Sequence, residues 1–365
     1  MRALRLACLL TCFACANSPA TPPAVSPAAT ALAGSPEGAR AALETDGGTR
    51  SLVFLSGRMD AEDLAELAAL APNVRVLSGL SAEEAMARAD EVHGADARYA
   101  TPEFLAAARE LRWLQSLSAG VEHYLAVEGL EARPEIVLTN MAGVHGPAIA
   151  DHVFALLLVL TRDLRGVLDS ARGSNWEVPA GPIAPGTLEG RTLYVAGLGG
   201  IGNEVARRGH GFGMRVVATQ RTPDARPAWV DELGSPDEHL RFLERADVVA
   251  ICLPLTDSTR GLFDERAFES MRPGAILINV GRGAIVDTDT LLAALESGRL
   301  AGAGLDVTDP EPLPADHPLW DLPQVVITPH NASRAELTGT RRWALMRENL
   351  RRFGAGEPLL NVVDR

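Results

Sequence analysis

Three short segments carry side chains of the types that grip anions and move protons, and each follows an apolar run of strand length. They are Asn279-Val280-Gly281-Arg282-Gly283, then Asp306-Val307-Thr308-Asp309-Pro310-Glu311-Pro312, then Thr328-Pro329-His330. Arg282 offers a planar fork that holds a carboxylate or polarises a carbonyl oxygen. His330 can hand over a proton near neutral pH, and a carboxylate such as Glu311 beside it would stabilise the imidazolium form. Singly, each has a plainer use: a phosphate contact, a solvated loop carboxylate, a satisfied loop histidine. Together, at three successive strand ends, they suit the reduction of a carbonyl next to a carboxylate, as in a 2-keto acid. That chemistry needs no metal ligands, and none are assigned, but it does need a hydride donor.

The segment Leu193-Tyr194-Val195-Ala196-Gly197-Leu198-Gly199-Gly200-Ile201-Gly202 supplies a place for one. It sets Gly-x-Gly-x-x-Gly directly after a strand and before a helix. Gly197 allows the tight turn, Gly199 lets backbone approach a pyrophosphate, and Gly202 permits close helix–strand packing. Gly200 and Ile201 complete the loop. Where an NAD-preferring site would place an acidic residue for the ribose 2′-hydroxyl, this chain has Gln220-Arg221-Thr222. With no carboxylate to repel a 2′-phosphate and an arginine to pair with it, NADP is favoured over NAD. Leu253, Pro254 and Val280, at later strand ends, are assigned to the same site.

These residues require parallel sheets to position them. Strand-like runs at 52–55, 74–77 and 137–139 alternate with helical patterns at 61–70 and 102–111, which describes βαβ units. A helix over 147–165 follows; its centre is apolar on every face, so it is expected to be buried all round, against a second subunit if not within its own. Six further strands, at 192–196, 215–219, 247–253, 275–280, 302–306 and 325–328, predict a doubly wound dinucleotide-binding domain. A last helix, over 335–353, is expected to return to the first domain. The fold class is therefore α/β, with two Rossmann-like doubly wound domains of parallel sheets. Residues 51–148 with 332–365 form the substrate-binding domain, residues 149–331 the dinucleotide-binding domain, and residues 1–50 a signal peptide and flexible linker.

Composition is that of a soluble globular protein: 47% hydrophobic and 22% charged residues over 365. The net charge of −13 excludes a nucleic-acid partner, which needs clustered Lys and Arg. After the N-terminus no apolar run is long enough to span a bilayer. Cys252 alone remains in the folded part, so no internal disulfide is expected, and its apolar surroundings mark it as a small core residue. At the N-terminus, Arg2 and Arg5 flank an apolar stretch over 6–16 of secretory length, and residues 17–48 read as a tether. Phe13-Ala14-Cys15 is similar to a bacterial lipoprotein processing site. A lipid on Cys15 and a cell-envelope location are the reading this favours, with an unprocessed cytoplasmic extension as the alternative.

The chain resembles the D-isomer-specific 2-hydroxyacid dehydrogenase family from about residue 52 to its end, most densely over 190–333. The resemblance implies catalytic roles for Arg282, Glu311 and His330. It sets Asp306, of the Gly-Leu-Asp-Val run, facing the nicotinamide carboxamide. It makes Ser118-Ala119-Gly120-Val121-Glu122 the substrate loop, with the backbone of Ala119, Gly120 and Val121 and the fork of Arg282 around the substrate carboxylate. It also implies an active site in the cleft between the two domains and a homodimer formed through the cofactor domain, with a short keto acid of the glyoxylate or hydroxypyruvate kind as substrate. Glu311 beside His330 separates the chain from formate dehydrogenases, which carry glutamine there. Three features depart from the pattern: the N-terminal extension, Glu122-His123 in place of aspartate-histidine, and Gly200 in place of a bulkier, often basic residue. Two other readings stay open, a relative acting on phosphite and a cofactor-binding sensor like the corepressors of this fold.

Overall fold

A computed structural model describes residues 51–176, 181–223 and 225–364. The apolar stretch, tether and Cys15 discussed above lie outside the described residues.

The first five strands are β1 (Leu52–Ser56), β2 (Val74–Ser78), β3 (Gly94–Asp96), β4 (Trp113–Gln115) and β5 (Val137–Thr139). They form one parallel sheet in the order β2-β1-β3-β4-β5, crossed by α1 (Ala61–Leu70), α2 (Ala82–Met86) and α3 (Pro102–Ala107). Sequence patterning locates β1, β2, β5 and α1 but not β3 or β4. Both are three residues long, and Gly94-Ala95-Asp96 has no β-forming side chain; the neighbouring ladders make it a strand. The helix expected over 102–111 stops at Ala107. There the Arg133 guanidinium collects the carbonyls of Leu105 and Ala108, both at 2.8 Å, and those of Arg109 and Leu111.

The second sheet contains β6 (Thr192–Ala196), β7 (Arg215–Thr219), β8 (Glu232–Gly234), β9 (Val248–Ile251), β10 (Ala275–Asn279), β11 (Leu300–Leu305) and β12 (Val325–Ile327). Its seven strands are parallel, in the order β12-β11-β10-β9-β6-β7-β8. Edge strand β8 is the one the sequence pattern does not mark. Buried runs such as Val248–Ile251 and Ala275–Asn279 are apolar on both faces, because helices cover both sides of a parallel sheet.

Two helical segments connect the halves. The long apolar helix is α5 (Gly146–Thr161), and it ends earlier than expected because Asp163 takes a left-handed conformation at φ 47°. A separate amphipathic helix, α6 (Leu164–Arg172), then begins. Nor is α5 buried all round: Ala155 is exposed, and Leu158 and Val159 are half-buried. After α8 (His239–Leu243), α9 (Glu265–Ser270) and α10 (Thr288–Glu296) of the second half, the final helix, α11 (Glu336–Ala355), returns to the first sheet as expected. Its Phe353 packs at a tilt against Trp113 with ring centroids 5.1 Å apart, and Trp113 in turn meets Phe54 at 4.7 Å. Buried Asn349 donates to Gln115 Oε1 at 3.0 Å, so the contact is fixed by polar as well as apolar groups.

Candidate active site

The glycine loop turns off β6 as the residue types require. Gly197 has φ +97°, and a Cβ at Gly202 would lie 2.0 Å from the Gly197 carbonyl oxygen, so α7 (Gly200–Gly211) can press on the strand only without a side chain there. A Cβ at Gly199 would meet nothing within 4 Å, which leaves open space where a pyrophosphate would lie. No side chain caps α7, so its first-turn amides are free for an anion. This cradle fits a dinucleotide phosphate. Gly200 has its own reason: a Cβ there would come within 2.9 Å of Gly143 Cα, on the connection between the two sheets. A basic residue at this position would strike that connection. Ile201 packs half-buried on the core below.

Beyond β7, Gln220 is fixed by its backbone N–H to Gly234 O at 3.0 Å, while Arg221 and Thr222 are exposed. Among the described residues Arg221 makes no hydrogen bond or ion pair, so its guanidinium is available to a ligand. Leu253 packs against Gly197, and the Pro254 carbonyl accepts from Thr259 Oγ1 at 2.7 Å. Val280 is buried, with its N–H on Ile251 O. Cys252 is partly rather than fully buried, because it follows the end of β9. Its thiol is pushed up to about 12 by burial, so it stays protonated and unreactive.

His330 and Glu311 are brought together from separate loops. His330 Nδ1 lies 2.6 Å from Glu311 Oε1, with the two side chains 50% and 42% exposed. That contact commits Nδ1 to the carboxylate and leaves Nε2 for a substrate. His330 has φ +48°, an unfavourable value for a side-chain-bearing residue, so something must hold the turn. Buried Asp306 does so. Its Oδ1 accepts from Thr328 Oγ1 at 2.6 Å and from Asn331 N–H at 3.0 Å, and its Oδ2 accepts from Ala332 N–H at 3.0 Å. Behind Thr328 stands His152 of α5, its Nε2 2.9 Å from Thr328 Oγ1.

Arg282 crosses to the first sheet. A Cβ at Gly120 would fall 1.8 Å from Arg282 Nη2, so the guanidinium rests directly on the backbone of the 118–122 loop. That loop is anchored by Asn140 Nδ2 donating to Ala119 O at 2.9 Å and by Met141 N–H donating to Ser118 O at 3.0 Å. Val121 is buried and pins its far end before α4 (Glu122–Leu125). The cleft therefore holds a guanidinium against backbone beyond the end of β10 and a carboxylate-bound imidazole beyond the end of β12, two strands along the same sheet.

Residues 154–332 match the family described as D-isomer specific 2-hydroxyacid dehydrogenase, NAD binding domain. A glyoxylate reductase of Korarchaeum cryptofilum is 36% identical over 266 residues, covering 72% of this chain and 79% of the relative. The chain belongs to the D-isomer-specific 2-hydroxyacid dehydrogenase family. Solved members have the same architecture. A family protein from Aeromonas salmonicida is 36% identical, with a TM-score of 0.72 over 87% of this chain and 99% of that one. A dehydrogenase from Xanthobacter autotrophicus, in complex with NADPH and MES, is 31% identical, with a TM-score of 0.73 over 87% of this chain and 98% of that one.

Within this family member, three contacts around the candidate site have no signal in the sequence. His152 lies just before the apolar centre of its helix, and the sequence does not single it out; its bond to Thr328 spans 176 positions. Asp306 reads as a cofactor contact, yet its carboxylate also builds the His330 turn. Glu122 reads as a minor variation of the substrate loop, yet it is the acidic group nearest Arg282, with Oε2 3.7 Å from Nη2.

Proposed function

We propose that this protein reduces a short 2-keto acid of the glyoxylate or hydroxypyruvate class to the D-2-hydroxy acid, using NADPH in preference to NADH. The observation that carries this reading is Arg282 lying over Gly120 beyond β10 while His330, tied to Glu311 at 2.6 Å, stands beyond β12 of the same sheet. Arg282 and the backbone of Ala119, Gly120 and Val121 hold the substrate carboxylate, which orients its carbonyl. His330 holds the transferable proton on Nε2 and delivers it to the carbonyl oxygen, and Glu311 supports the charged ring. When bound, the reduced nicotinamide supplies the hydride. Asp306, Thr328 and His152 act as positioning residues behind His330.

The preference for NADPH is supported by exposed Arg221 and by the lack of a carboxylate in Gln220-Arg221-Thr222. Steady-state turnover of glyoxylate and hydroxypyruvate with each cofactor tests both parts. We expect turnover of at least one acid, with a higher kcat/KM for NADPH. Cofactor binding without turnover across short keto acids would transfer the protein to the sensor reading.

We also propose a homodimer formed through the second domain. Leu164, Val167 and Leu168 of α6 are exposed on one face, and Trp176 beyond it is fully exposed. Such a patch favours a covering partner. Sedimentation should give twice the chain mass, and a stable monomer at micromolar concentration would count against it.

A further inference from the structure

The arginine expected to receive the substrate anion already has a carboxylate beside it. Glu122 Oε2 lies 3.7 Å from Arg282 Nη2, with the side chains 43% and 34% exposed. Both groups converge on Gly120, where a Cβ would come 1.8 Å from Nη2 and 2.8 Å from Oε2. Apart from Glu122, the one polar contact of the guanidinium among the described residues is Nη1 donating to its neighbour's carbonyl, Gly281 O, at 2.8 Å. Glu122 thus puts a carboxylate where guanidinium and loop backbone meet, which is the place and the chemical group that a keto acid would bring.

We infer that Glu122 is an intramolecular competitor for the carboxylate subsite, and so a specificity-determining residue that sets how tightly keto acids bind. The inference rests on the keto-acid reading of this cleft. With the cleft empty, Glu122 pairs with Arg282 and holds the guanidinium over Gly120. An incoming carboxylate must take over that pairing, and the displaced Glu122 stays close enough to repel further negative charge. A monoanionic acid therefore fits better than a dianionic one. The reach matters: an aspartate at this position would draw the carboxylate back by one methylene and loosen the competition. Glu122 exchanges no proton or electron in this scheme, so its effect falls on binding rather than on the chemical step.

The test compares the intact protein with Glu122→Gln, which keeps shape and removes charge, and Glu122→Asp, which keeps charge and shortens reach. Glyoxylate kinetics are paired with titration of the enzyme–NADPH complex by oxamate, an unreactive carboxylate, read by NADPH fluorescence. A screened pair at this separation predicts that Glu122→Gln lowers KM for glyoxylate and Kd for oxamate by about threefold to tenfold at low salt. The ratio should shrink towards one in about 0.5 M salt, and Glu122→Asp should fall in between. kcat should move less than KM. An unchanged or raised KM and Kd in Glu122→Gln would overturn the inference while leaving wild-type turnover, and hence the proposed reaction, intact. Tighter oxamate binding without turnover of any keto acid would uphold the competition and sink the reaction instead.

Discussion

His330 and His145 stand at two crossings between the sheets and keep opposite company. The side chain of His330 is 50% exposed and meets the Glu311 carboxylate at 2.6 Å. His145, between β5 and α5, is only 5% exposed, and its Nε2 accepts from Arg342 Nε at 3.2 Å and Nη2 at 3.0 Å. Burial, and then the Arg342 charge, pull His145 down to about 4, so at neutral pH it is an uncharged acceptor that ties α11 to the connection. The same side chain is thus placed to carry a proton, as proposed for His330, where water and an anion reach it, and is a structural lock where they do not. The sign of the partner and access to solvent decide between the two roles, and the residue type does not.

That contrast can be broken at several points. The largest effect is expected at the carrier. His330→Ala should lower kcat about 10²- to 10⁴-fold, the range for loss of a general acid. NADPH affinity, measured by fluorescence titration, should stay near wild type; loss of cofactor binding would make His330 structural as well. Next comes the opposing wall. Gly120→Ala would force a Cβ to 1.8 Å from Arg282 Nη2, and displacing that fork should cost about 10- to 100-fold in kcat/KM. Thermal stability should hardly change, because Gly120 itself is half-buried and outside the apolar clusters, and a wild-type kcat/KM would show that the guanidinium sits elsewhere during turnover.

The smallest effect belongs to the lock. His145 has an ordinary value of 6.5 and a folded value of about 4, so the unfolded chain binds more protons between these limits. Stability is therefore full above 6.5 and falls as pH drops towards 4, by about 1–2 kcal/mol at pH 5. Calorimetry at pH 7 and 5 should show a smaller drop in Tm for His145→Gln than for wild type. His239, also pulled to about 4 by burial, acts alike in both proteins, so the difference isolates His145. Equal drops would mean that His145 can be charged in place.

How far the sequence could be read differs between the two halves for a physical reason. Strands such as Val248–Ile251 and Ala275–Asn279 are covered on both faces and leave continuous apolar runs, so the second sheet is legible almost strand by strand. Gly94-Ala95-Asp96 and Trp113–Gln115 are short, and their pairing comes from neighbours distant in the chain, so two of the five strands of the first sheet are not. The break at Asp163 is likewise invisible, since the aspartate follows the apolar run in the polar stretch Thr161-Arg162-Asp163, where nothing in the local pattern announces a left-handed residue.

The sequence by itself determined which groups stand at which strand ends: the glycine turn at 197–202, the fork at 282, the carboxylate at 311 and the imidazole at 330. These follow from local patterning, which period and turn chemistry record. Only the tertiary structure decided who faces whom, placing Glu122 against Arg282, His152 behind Thr328, and Arg342 on His145 across 197 positions. Hydrogen bonds and ion pairs act over a few ångströms, and the packing that closes those distances leaves no trace in the local order of residues.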